Sequence, residues 1–149
     1  MDFATIFRLE ENLNLDKKTL VILRWIAIFG QLFSINLVYF YLDLNFPVLL
    51  CHIVIIVGLF TNIYLQFGLK ATLLKDLYST TFLMYDIIQL SILLFLTGGI
   101  FNPFAILLIV PTIVSSTFLS MGSTIILGSS TIILLFVITF FNLPLPGME

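Results

Sequence analysis

The run TLVILRWIAIFGQLFSINLVYFY, Thr19–Tyr41, holds one charged side chain, Arg24, in a stretch long enough to cross a lipid bilayer as a helix. A bilayer core about 30 Å thick takes about 20 apolar residues at 1.5 Å each. Four more apolar runs follow, at about Pro47–Phe67, Leu77–Leu96, Pro103–Leu119 and Ser123–Phe141. The second and third match that length. The last two are short and suit little tilt or a locally thinner bilayer. Backbone polar groups find no water in lipid, so such segments must satisfy their own hydrogen bonds as helices. A β-barrel would show alternating segments of about ten residues, whereas these runs are continuous. The sequence therefore predicts an all-α fold, a polytopic transmembrane helical bundle of about five spans.

Composition agrees. Of 149 residues, 60% are hydrophobic and 9% charged, against about a quarter charged in soluble domains. The lipid bilayer is thus the first partner. No basic patch exists to follow a phosphate backbone, which argues against a nucleic-acid partner. The single cysteine, Cys51, excludes an internal disulfide and a Cys-rich metal site, and no metal is expected.

Residues 1–18 contain Asp2, Arg8, Glu10, Glu11, Asp16, Lys17 and Lys18, with Phe3, Ile6 and Phe7 spaced for one helical face. This reads as an interfacial helix or loop ahead of the membrane region at 19–141. The apolar run after it is too long for a signal peptide. Lys70 and Lys75 lie between the second and third spans, while the connections Leu42–Phe46 and Thr97–Asn102 carry no positive charge. The positive-inside rule then places the N-terminus, the Gly68–Asp76 loop and the Ser120–Gly122 turn in the cytoplasm. The 142–149 tail falls outside, and Tyr39, Phe40 and Tyr41 form an aromatic belt at the outer surface.

Ionisable groups within a span are costly and so informative. Arg24 lies roughly 7–8 Å and Asp86 roughly 12–13 Å from the cytoplasmic side, at 1.5 Å per residue. Two arrangements fit: an Arg24–Asp86 ion pair between the first and third helices, or Arg24 snorkelling to the headgroups with Asp86 protonated or bonded to a polar neighbour. Gln31, Asn36, Asn62, Gln66 and Gln89 are expected as interhelical glue. Tyr85 and Gln89 share a face near Asp86, a cluster that structure alone would explain. His52, beside Cys51, is expected to bond an interfacial group; the alternative is a proton-handling or ligand-contacting role near the outer loop. Pro111 should free the Leu107 carbonyl and kink the fourth helix. Thr124 and Gly128 form a small-xxx-small pair for close helix contact.

The connection Thr97–Phe104, TGGIFNPF, is the most specific segment. Gly98 and Gly99 suit a helix end at positive φ, and Asn102-Pro103 suits the cap and first residue of the next helix. Beyond that, an uncharged turn flanked by Phe101 and Phe104 suits a neutral amphiphile such as a quinone, stacked on a ring and hydrogen-bonded by Asn102 or the glycine backbone.

The stretch from Tyr85-Asp86-Ile87-Ile88-Gln89-Leu90 through Leu96-Thr97-Gly98-Gly99-Ile100-Phe101-Asn102-Pro103-Phe104 resembles the membrane domain of the RegB/PrrB family of redox-responsive sensor histidine kinases. That family carries a G-G-x-x-N-P-F heptad between its third and fourth spans, associated with ubiquinone binding, and the same heptad stands here at Gly98–Phe104. Leu23-Arg24-Trp25 and Pro111 are similar to the family as well, and the resemblance covers essentially the whole chain. It implies a multi-pass sensor of the bacterial inner membrane that reads the quinone pool, works as a homodimer and acts on a cognate response regulator. Phe101, Asn102, Pro103 and Phe104 would contact or shape the ubiquinone site, with Gly98 and Gly99 giving backbone access. The family has six spans followed by a cytoplasmic kinase. Here five spans are expected, with no phospho-accepting histidine motif and no glycine-rich ATP lid. Cys51 does not match the family's cytoplasmic redox cysteine. Pro144-Leu145-Pro146-Gly147 reads as an outer loop leading to a sixth helix, so the chain is expected to be a fragment or truncated product without catalysis of its own. Two other classes stay open: a small transporter or permease fragment with Arg24, Asp86 and Asn62 as its polar path, and a membrane subunit of a respiratory complex. An uncharged aromatic hairpin is a feature that a transporter does not need.

Overall fold

The computed structural model describes residues Leu15–Pro144. The order of elements is β1 (Leu15–Asp16), α1 (Lys17–Phe40), α2 (Val48–Ile63), β2 (Leu73–Leu74), α3 (Asp76–Leu96), α4 (Val110–Phe118) and α5 (Met121–Phe140). A π-helical turn, Tyr64–Gly68, prolongs α2, and a 3-10 segment, Pro103–Ile109, leads into α4. Four helices are long and apolar enough to cross a membrane: Lys17–Phe40, Val48–Gly68, Asp76–Leu96 and Met121–Phe140. Pro103–Phe118 forms a fifth, shorter apolar helix. This is the expected all-α membrane bundle, with the two-residue strands as an addition.

The interfacial reading of residues 1–18 falls mostly outside the described residues. Its end is corrected. Leu15 and Asp16 pair antiparallel with Leu74 and Leu73, and Lys17 already begins α1. The Lys17 ammonium donates to the carbonyls of Gln66 (3.2 Å) and Leu69 (2.5 Å). A cation there meets the negative end of the α2 dipole and its unpaired carbonyls. Most of the 142–149 tail likewise lies outside the described residues.

α3 is the central helix, packed against α2, α4 and α5. Its Leu83, Ile87 and Leu94 meet Leu20, Leu65, Leu108 and Leu127 in one core cluster. Leu93 and Leu96 join Ile28, Ile35, Cys51 and Ile55 in a second, between α1, α2 and α3. Phe29, Phe33, Phe60, Ile132 and Phe136 face outward and exposed. Helices apolar on every side have lipid as their outer solvent, where close packing and interhelical hydrogen bonds hold the bundle. Trp25 Nε1 donates to Gln66 Oε1 at 3.2 Å, Gln89 Nε2 to Gln31 Oε1 at 2.9 Å, and Asn62 Nδ2 to the Val21 carbonyl at 3.3 Å. Asn36 is different: it bonds the Leu32 carbonyl of its own helix. His52 does the same, with Nδ1 on the Val48 carbonyl at 2.8 Å rather than on an interfacial group. For both, the carbonyl four residues back on the same helix supplies the partner.

Along α4 and α5, Thr112 meets Thr131 at 3.3 Å and Ser115 meets Thr124 at 3.0 Å. A Cβ on Gly128 would come within 3.5 Å of Thr112, so the small-residue pair does sit at the helix contact. Pro111 acts otherwise than expected. It stands in the first turn of α4, and the Leu107 carbonyl accepts the Val110 N–H. The 3-10 segment before it absorbs the missing donor by bonding one residue closer.

Candidate ligand cleft

The hairpin between α3 and α4 is built by local chemistry. α3 ends at Leu96, and Gly98 (φ 101°) and Gly99 (φ 62°) both take left-handed backbone. Only glycine adopts that conformation without a Cβ penalty. Asn102 then caps the next helix. Its side-chain oxygen accepts the Phe104 N–H at 2.9 Å, and its amide donates to Thr97 Oγ1 at 2.8 Å and to the Thr97 carbonyl at 3.2 Å. Pro103 follows at the first helical position, where no N–H is needed. Asn102 thus spends both ends of its side chain on closing the turn. The end of α5 docks on it: the Leu143 N–H bonds the Phe95 carbonyl at 2.8 Å, and Asn142 packs on Gly99.

Below the hairpin, α1, α3 and the Pro103–Phe118 arm enclose a cleft of about 430 Å³. Asn102 and Phe104 line it at the hairpin end, and Arg24 and Asp86 line it toward the other. Ala27, Leu90, Leu94 and Leu107 supply apolar wall between them, interrupted by Gln31 and Gln89. The two features singled out in the sequence, the hairpin and the polar pair, thereby share one cavity. Of the six hairpin residues, Asn102 and Phe104 reach it. Gly98, Gly99, Phe101 and Pro103 shape the turn without lining the cleft, and Phe101 stands 66% exposed.

Arg24 and Asp86 form the ion pair. Arg24 Nε lies 3.0 Å from Asp86 Oδ1, with Arg24 4% and Asp86 24% exposed. The guanidinium also donates through Nη2 to Thr61 Oγ1 at 2.7 Å, tying α1 to α2 as well as to α3. The rings of Phe82 and Tyr85 lie 5.2 and 5.6 Å from its centre, close enough for cation–π attraction. Snorkelling is therefore not the solution adopted: the charge is held by a carboxylate, a hydroxyl and two aromatic faces inside the bundle. Arg24 Nη1 is buried without a hydrogen-bond partner among the described residues.

Sequence reasoning missed a polar clamp at the opposite end of α3. Asp76 accepts from the Ser120 N–H at 3.0 Å, from Ser120 Oγ at 2.9 Å and from Ser123 Oγ. The signal was a lone acid in the first turn of an apolar helix, facing a serine-rich turn distant in sequence.

The chain is 38% identical over 129 residues to the Sensor histidine kinase RegB of Cereibacter sphaeroides. That alignment covers 86% of this chain and 28% of the relative, so the chain spans less than a third of the relative's length. The likeness bears out the resemblance to the RegB/PrrB sensor kinases. No protein-family model matches the chain, and no solved structure matches it.

Proposed function

We propose that the chain is the membrane sensing region of a sensor histidine kinase and that its cleft takes a quinone, with ubiquinone as the reference ligand. The relationship to RegB over 86% of the chain is the observation that carries the kinase half of this reading. The cleft supports the ligand half. Its volume falls within the range of about 300–1,000 Å³ usual for small-molecule sites. Its largely apolar wall suits a prenyl tail, and its few polar groups suit a ring with two oxygens. Phe104 offers the ligand, ring or unsaturated tail, an aromatic contact at the hairpin end.

On this reading the redox state of the quinone pool biases how α1, α3 and the Pro103–Phe118 arm pack. The bundle then passes that bias to a kinase that works as a homodimer and phosphorylates a response regulator. The protein sits in a bacterial inner membrane with Lys17, Lys70 and Lys75 on the cytoplasmic side, as the charge rule requires. The transporter alternative loses part of its proposed path, because Asn62 bonds the Val21 carbonyl and does not line the cleft.

The test is binding of a short-chain ubiquinone analogue to the purified chain in lipid nanodiscs. Phe104→Ala should weaken it about threefold to tenfold, the value of one aromatic contact, with helicity unchanged. Asn102→Ala should weaken it by opening the turn. Equal binding by wild type and both variants would remove the hairpin from the site.

A further inference from the structure

The polar groups of the cleft are unequally satisfied. Toward the hairpin, Ser34 bonds the Gly30 carbonyl, Thr97 bonds the Leu93 carbonyl and Asn102 bonds Thr97. Midway, Gln89 donates to Gln31. At the far end the pattern changes. Arg24 is 4% exposed and keeps one N–H group, Nη1, without an acceptor among the described residues. A buried donor in that state is costly, and an incoming oxygen removes the cost. Asp86 commits Oδ1 to Arg24 and remains 24% exposed on the cleft wall, and among the described residues no other donor bonds its carboxylate, which can therefore accept from a ligand. One spare donor and one accessible acceptor therefore stand side by side.

Resting on the reading of the cleft as a quinone site, we propose that Arg24 and Asp86 form its head-group subsite. Arg24 Nη1 donates to a carbonyl oxygen of the oxidised ring. Asp86 accepts the hydroxyl of the reduced ring. The tail then runs along Leu90, Leu94 and Leu107 toward the hairpin, or sideways into lipid. The opposite placement sets an alkyl chain against a buried ion pair and leaves Nη1 unpaired. From Leu20 to Ile35 the α1 wall is about 22 Å long at 1.5 Å per residue, room for a ring at one end and tail beyond it. The two oxidation states engage different members of the pair that joins α1 to α3. The ligand's redox state thereby acts on the contact between those helices through binding alone, without electron transfer to the protein.

A benzoquinone with a ring azide and a short isoprenoid tail, photolysed with the chain in nanodiscs, locates the ring directly. Label that an unlabelled analogue competes away should fall within Leu20–Ala27 or Leu83–Leu90. Label confined to Gly98–Phe104 would overturn the subsite and leave the quinone cleft standing. No competable label anywhere would overturn both. A second measurement uses Asp86→Asn and Arg24→Gln. Loss of a hydrogen bond to a charged group is expected to cost about tenfold in affinity. Asp86→Asn should weaken the reduced ligand more than the oxidised one, and Arg24→Gln the reverse. Ratios that do not change, or that change in the same direction, would overturn the assignment. Should either variant lose its helicity, the wild-type labelling pattern decides alone.

Discussion

Truncating Asp86 to alanine strands the Arg24 guanidinium inside the bundle. Arg24 is 4% exposed, so it cannot recover water without distorting α1. It would keep the 2.7 Å bond to Thr61 and the two ring faces, and lose its only counter-charge among the described residues. A buried charge left unpaired in this way costs about 3–5 kcal/mol. Arg24→Met is expected to cost less, about 1–3 kcal/mol, because Asp86 is 24% exposed and is relieved by taking up a proton. Removing both charges together, as Arg24→Met with Asp86→Leu, should be nearly neutral, since an apolar pair of similar volume escapes the desolvation cost. The double variant should then be at least about 2 kcal/mol more stable than the sum of the single losses predicts. Reversible unfolding in mixed micelles with a rising fraction of dodecyl sulfate, followed by helical circular dichroism, measures all three. A charge exchange, Arg24→Asp with Asp86→Arg, should likewise fold better than either single reversal. Strict additivity, or an exchange no better than the single reversals, would refute the pair as an energetic unit.

Three further outcomes follow from neighbouring features. Gly99→Ala forces a Cβ into left-handed backbone and to within 2.7 Å of Asn142; it should lower stability by at least about 1–2 kcal/mol, with part of the loss recovered by Asn142→Gly in the same unfolding assay. Asp76→Asn weakens the acceptor shared by Ser120 and Ser123; a loss of about 1 kcal/mol should appear as faster hydrogen exchange at the Ser120 amide. Gln66→Leu takes the acceptor from Trp25, the only tryptophan; stability should fall by about 1 kcal/mol or less, and the Trp25 emission should shift to shorter wavelength.

The turn chemistry of the hairpin was legible in the sequence because it is local. Two glycines at positive φ and an Asn-Pro cap depend on a handful of consecutive residues. The ion pair was legible for a different reason: helices have a fixed rise, so distance from the membrane edge sets which buried charges lie at similar depth. What escaped was whatever depends on rotation about a helix axis. Both Phe101 and Phe104 flank the turn, and only the packing of the Pro103–Ile109 segment decides that Phe104 reaches the cleft. The same holds for Asn36 and His52, whose polar groups turn back onto their own helices. The Asp76 clamp and the Lys17 cap join residues 44 and 52 positions apart, beyond the reach of any local pattern. The cleft itself belongs to three elements at once, so no single stretch of sequence encodes it.

The 3-10 winding of Pro103–Ile109 alters how far a short segment reaches. Seven residues wound this way rise about 14 Å at 2.0 Å each, and the nine of α4 add about 13.5 Å at 1.5 Å each. Together they extend about 27 Å, close to the thickness of the hydrocarbon core, where the same residues as α-helix would fall about 3–4 Å short. Set upright, the arm that walls the cleft is thus long enough to match that core. Rewound as α-helix, the arm would lose about 3–4 Å and lower one wall of the cavity while the others keep their length, so the 3-10 winding sets the height of the cleft on that side.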